Sequence, residues 1–508
     1  RRFVDQVVVM RPIGTGETAG PEIVARIPIG EMTDAALPAS GLGAFKIVLS
    51  ADGARAFVSL RNGGIAVIDT MLMRQIDVDP STPAQNNIIK IQGAGVQPYG
   101  MTLDRTGKYL LVGDELSSAI YVVDVDQGSA RYGKRVHTFG LPAELNNGRG
   151  LRDIALTPDG KSLVVTAPGQ VGFNTAGGQS GAIGILELPD LRDLAKGKPL
   201  AAMLKATATF NKAAAALKEP WGLLVRTDAE GKPTILVTDR SSEANGLSVF
   251  KFDGGKWSYS HSLNFHIRRP PGDAIYESFQ INDAADITMT SDGSMVFVQS
   301  YNRFRQEVAG RDPNMTPANP AGGSVAIARN PMVKGAEFVA ATRAIPIDFG
   351  LGVGLSGDDR YLYLSASGNH HIRVYDTFEI NRVLTRVEDP ARAVQVGGQS
   401  YLQTARRGID DISLFGPNNL FLHFNGNVFG GFNRVDYNSA IDIRANFAST
   451  GSLLEIAPIG DPPTNLPLAT GGIPRDIASQ DTFLKLVTPT SAVAGASPVF
   501  EWSLSGQQ

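Results

Sequence analysis

Phe45-Lys46-Ile47-Val48-Leu49, Ser50-Ala51-Asp52-Gly53 and Ala56-Phe57-Val58-Ser59 follow one another closely, and Arg61-Asn62-Gly63-Gly64 then leads into Ile65-Ala66-Val67-Ile68-Asp69-Thr70. In order these read as an apolar strand, a tight turn, a second apolar strand, a polar loop and a third strand. Asp-Gly suits the first turn because Gly tolerates positive φ and Asp bonds its own turn backbone. A unit of this kind cannot bury its faces alone, so its meaning depends on whether it recurs.

It recurs six more times. Leu103-Asp104-Arg105-Thr106-Gly107 turns into Tyr109-Leu110-Leu111-Val112, with 119–124 behind it. Thr157-Pro158-Asp159-Gly160 turns into 162–166, followed by 182–186. A lengthened fourth unit pairs 222–225 with 234–239 and then 247–250. Ser291-Asp292-Gly293 turns into 295–298, and Ser356-Gly357-Asp358-Asp359 into 361–365 with 372–377 behind it. The seventh unit is Ile412-Ser413-Leu414-Phe415, turning at Gly416-Pro417-Asn418-Asn419 into Leu420-Phe421-Leu422.

These residues resemble the YVTN-type bacterial surface β-propeller repeat, in which a Ser/Thr-Pro-Asp-Gly turn precedes a strand and a Val-Ile-Asp-Thr strand follows. Asp52-Gly53, Asp159-Gly160, Asp292-Gly293 and Val67-Ile68-Asp69-Thr70 carry the likeness, which covers about residues 22–478. It departs from the pattern in the fourth and seventh units and in long insertions. The resemblance implies a β-propeller on a bacterial or archaeal surface, and it implies no single chemistry.

The expected fold is all-β: a propeller of four-stranded blades, eight favoured over seven. Two further strands, 6–10 and 22–30, precede the first unit and read as the last two strands of a blade. Pro474-Arg475-Asp476-Ile477-Ala478 restarts the inner-strand pattern, so a composite blade built from both ends would remove the open sheet edges. In the seven-blade alternative a C-terminal segment stays outside the ring. The domain reading is 1–480 for the propeller and 481–508 for a strand pair. There Pro498-Val499-Phe500-Glu501-Trp502 resembles the start of an immunoglobulin-like or fibronectin-like module, unless these strands belong to the closing blade.

Composition fits such a chain. Gly (56) and Pro (30) are plentiful, as many turns require, and 508 residues allow a large core. A net charge of −3 argues against a nucleic-acid partner. The absence of Cys excludes disulfides and thiolate metal sites. No apolar run reaches the roughly 18 residues that a membrane-spanning helix needs. The first residue is Arg1 rather than Met, which suggests a segment of something longer.

Three insertions interrupt the repeats. Residues 191–218 are rich in Ala, Leu and Lys, and a short helix is expected there. Residues 302–323 are polar and Pro-rich, and 426–450 are rich in Asn, Gly and aromatics. Loops on a rigid scaffold carry binding, so Arg303, Arg305, Asn314, Phe429, Phe432 and Tyr437 are the candidate partner contacts.

Candidate chemistry is sparse. Asp153, Asp286, Asp411 and Asp476 each precede Ile where an inner strand begins, so they could ring a channel mouth and hold Ca²⁺ through oxygen ligands. The preferred alternative is structural, each carboxylate bonding backbone or an Arg such as the neighbouring Arg152 or Arg475. His370-His371 lies in the loop leading to Ile372-Arg373-Val374, where a solvated turn is expected. Adjacent strand residues face opposite ways, and no His-x-x-x-His motif accompanies the pair, so the two do not readily share one metal. Gly354-Leu355-Ser356-Gly357-Asp358 is a hairpin turn rather than a nucleophile elbow. The basic run His266-Ile267-Arg268-Arg269, with Arg406-Arg407, faces either solvent or an anionic glycan.

The expectation is therefore a non-enzymatic extracellular or cell-surface module, with the periplasm as the alternative location. It would scaffold, adhere or assemble by binding other surface proteins, copies of itself or a glycan. No catalytic residue and no cofactor are expected, Ca²⁺ being the single ion considered. The competing reading is an axial-site propeller enzyme, lactonase-like or a quinone- or haem-linked oxidoreductase. That reading needs convergent His, Glu, Arg or metal ligands.

Overall fold

Each repeat folds as its apolar pattern dictates. In the first, Ala44–Leu49, Arg55–Leu60, Gly64–Asp69 and Arg74–Gln75 pair in that order as an antiparallel sheet. Gly53 takes the left-handed conformation that its turn needs, at φ +69°. The Asp52 carboxylate accepts from the Ala54 N–H at 3.0 Å and from the Ser50 hydroxyl. The Ile-Asp-Thr end of the third strand has its own task. The Thr70 hydroxyl donates to Gly53 O and its N–H to Ala54 O, clamping the third strand to the first hairpin. Thr377 repeats this clamp on Asp359 O and Arg360 O.

The coordinates are a computed structural model that describes most of residues 6–381, with 393–396, 399–402 and 422–424 beyond them. The chain divides into two compact units, Arg1–Arg11 with Glu22–Ser262, and Pro12–Pro21 with Leu263–Gln508. In the first, four sheets follow one another, each an antiparallel meander of four consecutive strands. The second blade is Pro98–Leu103, Tyr109–Asp114, Ala119–Asp124 and Arg135–Gly140. The third is Ile154–Leu156, Ser162–Ala167, Ala182–Glu187 and Lys205–Asn211. The fourth is Pro220–Thr227, Pro233–Asp239, Leu247–Asp253 and Lys256–Leu263. The second unit holds a fifth, Ala284–Met289, Met295–Ser300, Gly322–Arg329 and Phe338–Thr342. It also holds a three-stranded sheet of Val353–Leu355, Tyr361–Ala366 and His371–Asp376. The chain is all-β with blades of propeller type.

The cores lie between blades, because alternate residues of a strand face opposite neighbours. Phe57 and Val67 of the first blade pack with Met101, Leu110 and Val112 of the second. The other face of the second blade, with Leu111 and Val122, packs with Ile154, Leu163 and Val165 of the third. Val164 and Ile185 then meet Leu223, Ile235 and Val237. On its remaining side the first blade buries Ala56, Val58 and Leu60 against Ile27, in the strand Gly20–Pro28 that pairs with Gln6–Ile13, and Ile29, just beyond it.

Inner strands share one further device. A hydroxyl on the second strand takes the N–H at the start of the inner strand: Ser59 from Lys46, Thr166 from Asp153, Thr238 from Gly222 and Ser365 from Gly352, at 2.8–3.0 Å. Two of these hydroxyls also donate across to the next blade, Ser59 to Tyr99 O at 3.0 Å and Thr166 to Trp221 O at 2.8 Å.

Several expectations change. Five four-stranded blades are described, rather than eight or seven. Residues Leu422–Phe424 pair with Phe338–Thr342 on the outer edge of the fifth blade. Edge strands have unpaired N–H and C=O groups, and an alternating apolar segment satisfies them as well as a hairpin partner does. Among the described residues of 191–218, Arg192–Ala195 is helical and Lys205–Asn211 is the outer strand of the third blade, while the Ala-rich run 212–216 lies outside the described residues. Thr207, Thr209 and Phe210 favour strand, and pairing with Ala182–Glu187 outweighs the local helix preference of Ala and Lys. The inner-strand segments at 411–415 and 474–478 and the tail 481–508 lie outside the described residues.

Candidate functional site

The inner strands of the first unit start side by side, and their first outward positions coincide in register. Counting back from Ile47, Met101, Ile154 and Leu223 places Phe45, Tyr99, Arg152 and Trp221 at equivalent sites. Tyr99 and Trp221 each stand in a Pro-aromatic-Gly triplet. Gly is required at 100, where a Cβ would lie 2.8 Å from Asp153 Cα and 2.9 Å from Arg152 O.

The side chains stack. The Phe45 and Tyr99 ring centroids are 3.8 Å apart, and Tyr99 meets Trp221 edge-on at 6.0 Å. The Arg152 guanidinium lies 5.6 Å from the Tyr99 ring and 4.7 Å from the Trp221 ring, while Arg240 lies 4.3 Å from Trp221. Such cation–π contacts strengthen where water is excluded. Tyr99, Arg152 and Trp221 are all buried.

Loops add the charges. Arg152 Nη1 donates to the carbonyls of Glu115, Arg149 and Leu151 at 3.1–3.2 Å. Glu115 Oε2 accepts from Arg61 at 2.6 Å, and Glu115 Oε1 lies 3.9 Å from Arg152 Nη2. Arg149 lies 3.9 Å from Glu219. Gly150 permits this convergence, since at φ +64° a Cβ would stand 2.2 Å from Glu115 O. Burial lowers the Arg152 pKa, against the pull of Glu115, and burial raises that of the Tyr99 phenol. Burial also pushes the Glu219 carboxyl up, against Arg240 and Arg149. Desolvation thus governs all three groups.

The inner-strand aspartates have defined partners. Asp153 accepts from its neighbour Ile154 N–H at 3.0 Å, from Lys46 Nζ at 3.4 Å and from Leu223 N–H of the next blade at 3.2 Å. Asp286 accepts from Val353 N–H at 3.0 Å, again one sheet onward. Asp411 and Asp476 lie outside the described residues. Arg305 sits in Phe304–Gln306, which pairs with Phe279–Ile281 in a small separate sheet. Arg303, Asn314, Phe429, Phe432 and Tyr437 lie outside the described residues. Among the described residues no three His, Asp or Glu side chains converge as a metal centre.

Sequence reasoning noticed Arg152 only as a neighbour of Asp153 and missed Tyr99, Trp221, Arg240 and the two glutamates. A signal was present. Pro98-Tyr99-Gly100 and Pro220-Trp221-Gly222 recur at the same repeat position.

Comparison with family models finds no match, and comparison with curated proteins finds none. Solved structures similar to the chain include the Kuenenia stuttgartiensis hydrazine synthase, at 16% identity and TM-score 0.44, over 70% of this chain and 83% of that one. A functionally unknown protein from Desulfotomaculum acetoxidans matches at 12% identity and TM-score 0.44, over 70% and 86%. The Myceliophteria thermophila Cps50 (Swd1) β-propeller domain matches at 11% and 0.39, over 68% and 86%. Likenesses this distant assign no chemistry to this chain.

Proposed function

We propose that this chain is a non-enzymatic extracellular module of a surface protein, whose rigid blades present loops to other surface proteins or to copies of itself. One observation carries the reading. The inner-strand groups that an axial enzyme would use are committed to architecture: Asp153 and Asp286 hold the N–H groups of Leu223 and Val353 one sheet onward, and Ser59 and Thr166 hold the carbonyls of Tyr99 and Trp221. A carboxylate that bonds backbone across two sheets is a poor nucleophile or base, because leaving its partner exposes a buried N–H. Recognition then falls to the insertions at 302–323 and 426–450.

Deleting 307–321, which spares the strands Phe304–Gln306 and Gly322–Arg329, should abolish self-association in analytical ultracentrifugation, or binding to whole cells, with the melting temperature within about 2 °C of the parent. Turnover of a lactone, or electron transfer to a bound cofactor, that disappears on Arg152→Lys would replace this reading with the axial-site enzyme.

A further inference from the structure

Arg152 is buried between the rings of Tyr99 and Trp221. Its guanidinium has two edges. Nη1 is saturated by the carbonyls of Glu115, Arg149 and Leu151. Nε is buried and has no hydrogen-bond acceptor. Nη2, next to it, has Glu115 Oε1 at 3.9 Å, beyond hydrogen-bond reach. The Nε–Nη2 edge is the fork that accepts a carboxylate with two parallel bonds. Here it lies idle in a side chain only 8% exposed. A buried donor without a partner is destabilising.

Among the described residues, the charges around it leave room for one anion. Arg61 and Arg152 share the single carboxylate of Glu115, two cations to one anion. Arg149 and Arg240 face Glu219 and Asp239, two cations to two carboxylates. Lys46 and Asp153 pair with each other. Glu115 is bound tightly to Arg61 at 2.6 Å and stands loosely by Arg152, so it can leave that edge without losing its main partner.

We propose that the Nε–Nη2 edge of Arg152, between the rings of Tyr99 and Trp221, is the binding site of a small monocarboxylate, which displaces Glu115 Oε1 from that edge. A monoanion is the fitting charge, since it neutralises the one uncompensated guanidinium. A sulfate or phosphate dianion would leave a buried negative charge, which is costly. The planar fork also matches a planar carboxylate. This site is independent of whether the chain is catalytic.

The test uses the full chain. Lactate and benzoate are the probes, followed by saturation-transfer NMR, with inorganic sulfate as the competing anion and Trp emission as a second readout because Arg152 lies against Trp221. Saturable carboxylate binding is expected, weakened at least tenfold in Arg152→Lys, which keeps the charge and loses the fork. Glu115→Gln, which removes the displaced carboxylate, should tighten binding severalfold. Both variants are checked for an unchanged melting transition. Should Arg152→Lys fail to fold, Glu115→Gln alone decides. No saturable binding, equal binding by a folded Arg152→Lys, weaker binding in Glu115→Gln, or tighter binding of sulfate than of either carboxylate would each overturn the proposal.

Discussion

Asp153 shows what one side chain can carry in this fold. Its carboxylate joins the inner strand of the third blade to Leu223 N–H of the fourth and to Lys46 of the first. Asp153→Ala should cost about 3 kcal/mol in urea unfolding, because a buried N–H loses a charged acceptor. Asn is expected to recover about half of that. The hairpin aspartates behave differently. Hydroxyl donation, from Ser50, Thr290 and Ser356 first, with backbone N–H groups next, holds Asp52, Asp292 and Asp358 below the ordinary 3.8. A depressed carboxyl stabilises the fold above its unfolded pKa, so this contribution is complete above about pH 4 and disappears as the pH falls through the folded values. Side-chain carboxyl NMR titration should show all three below 3.8, with Ser50→Ala returning Asp52 toward it. Glu219 has the opposite sign. Burial raises its pKa above 4.5, so its ionised form costs stability as the pH rises from there through the folded value, and Glu219→Gln should remove that slope.

At the scale of one element, the turn 149–151 sets the geometry around Arg152. Gly150 is left-handed and packs directly on Glu115 O and Asp114 O. Gly150→Ala combines backbone strain with a clash that no flexible side chain can relieve, and about 3 kcal/mol of destabilisation is expected by thermal or urea unfolding. Much at this scale was legible in the sequence. The first, second, third and fifth inner hairpins stand where Asp-Gly or Thr-Gly turns separate apolar runs, and Val-Ile-Asp-Thr marks the third strand of the first blade. Local turn chemistry decides those elements. The outer strands were harder to read, because Lys205–Asn211 becomes a strand through pairing with Ala182–Glu187, a contact that local preference does not encode. The Arg152 stack was hidden for a similar reason. Phe45, Tyr99, Arg152 and Trp221 are neighbours only after blades stack, and their equivalence appears once register is counted along each strand.

At the scale of the whole molecule, the decisive fact is that cores lie between blades rather than within them. Leu111 and Leu163 belong to different blades and to one buried cluster. Leu111→Ala and Leu163→Ala should each cost about 2–5 kcal/mol. Their double mutant should depart from additivity by about 0.5 kcal/mol or more, as residues of one cluster do. Strict additivity would mean that each blade is an independent packing unit. The blade count was the least legible feature, since it depends on long-range pairing of segments such as Leu422–Phe424, whose short apolar pattern suits more than one edge.

The bridging hydroxyls of Ser59 and Thr166 give the chain a direction of assembly. Each donor precedes its acceptor, by 40 residues from Ser59 to Tyr99 and by 55 from Thr166 to Trp221. On a ribosome adding about 5–20 residues per second, each acceptor emerges about 2–11 s after the donor that will hold it. A finished blade therefore waits, with one apolar face and one hydroxyl open, as the template on which the next is laid. The growing end of the nascent protein is its sticky end, and a chaperone attending this fold needs to cover only one blade face at a time.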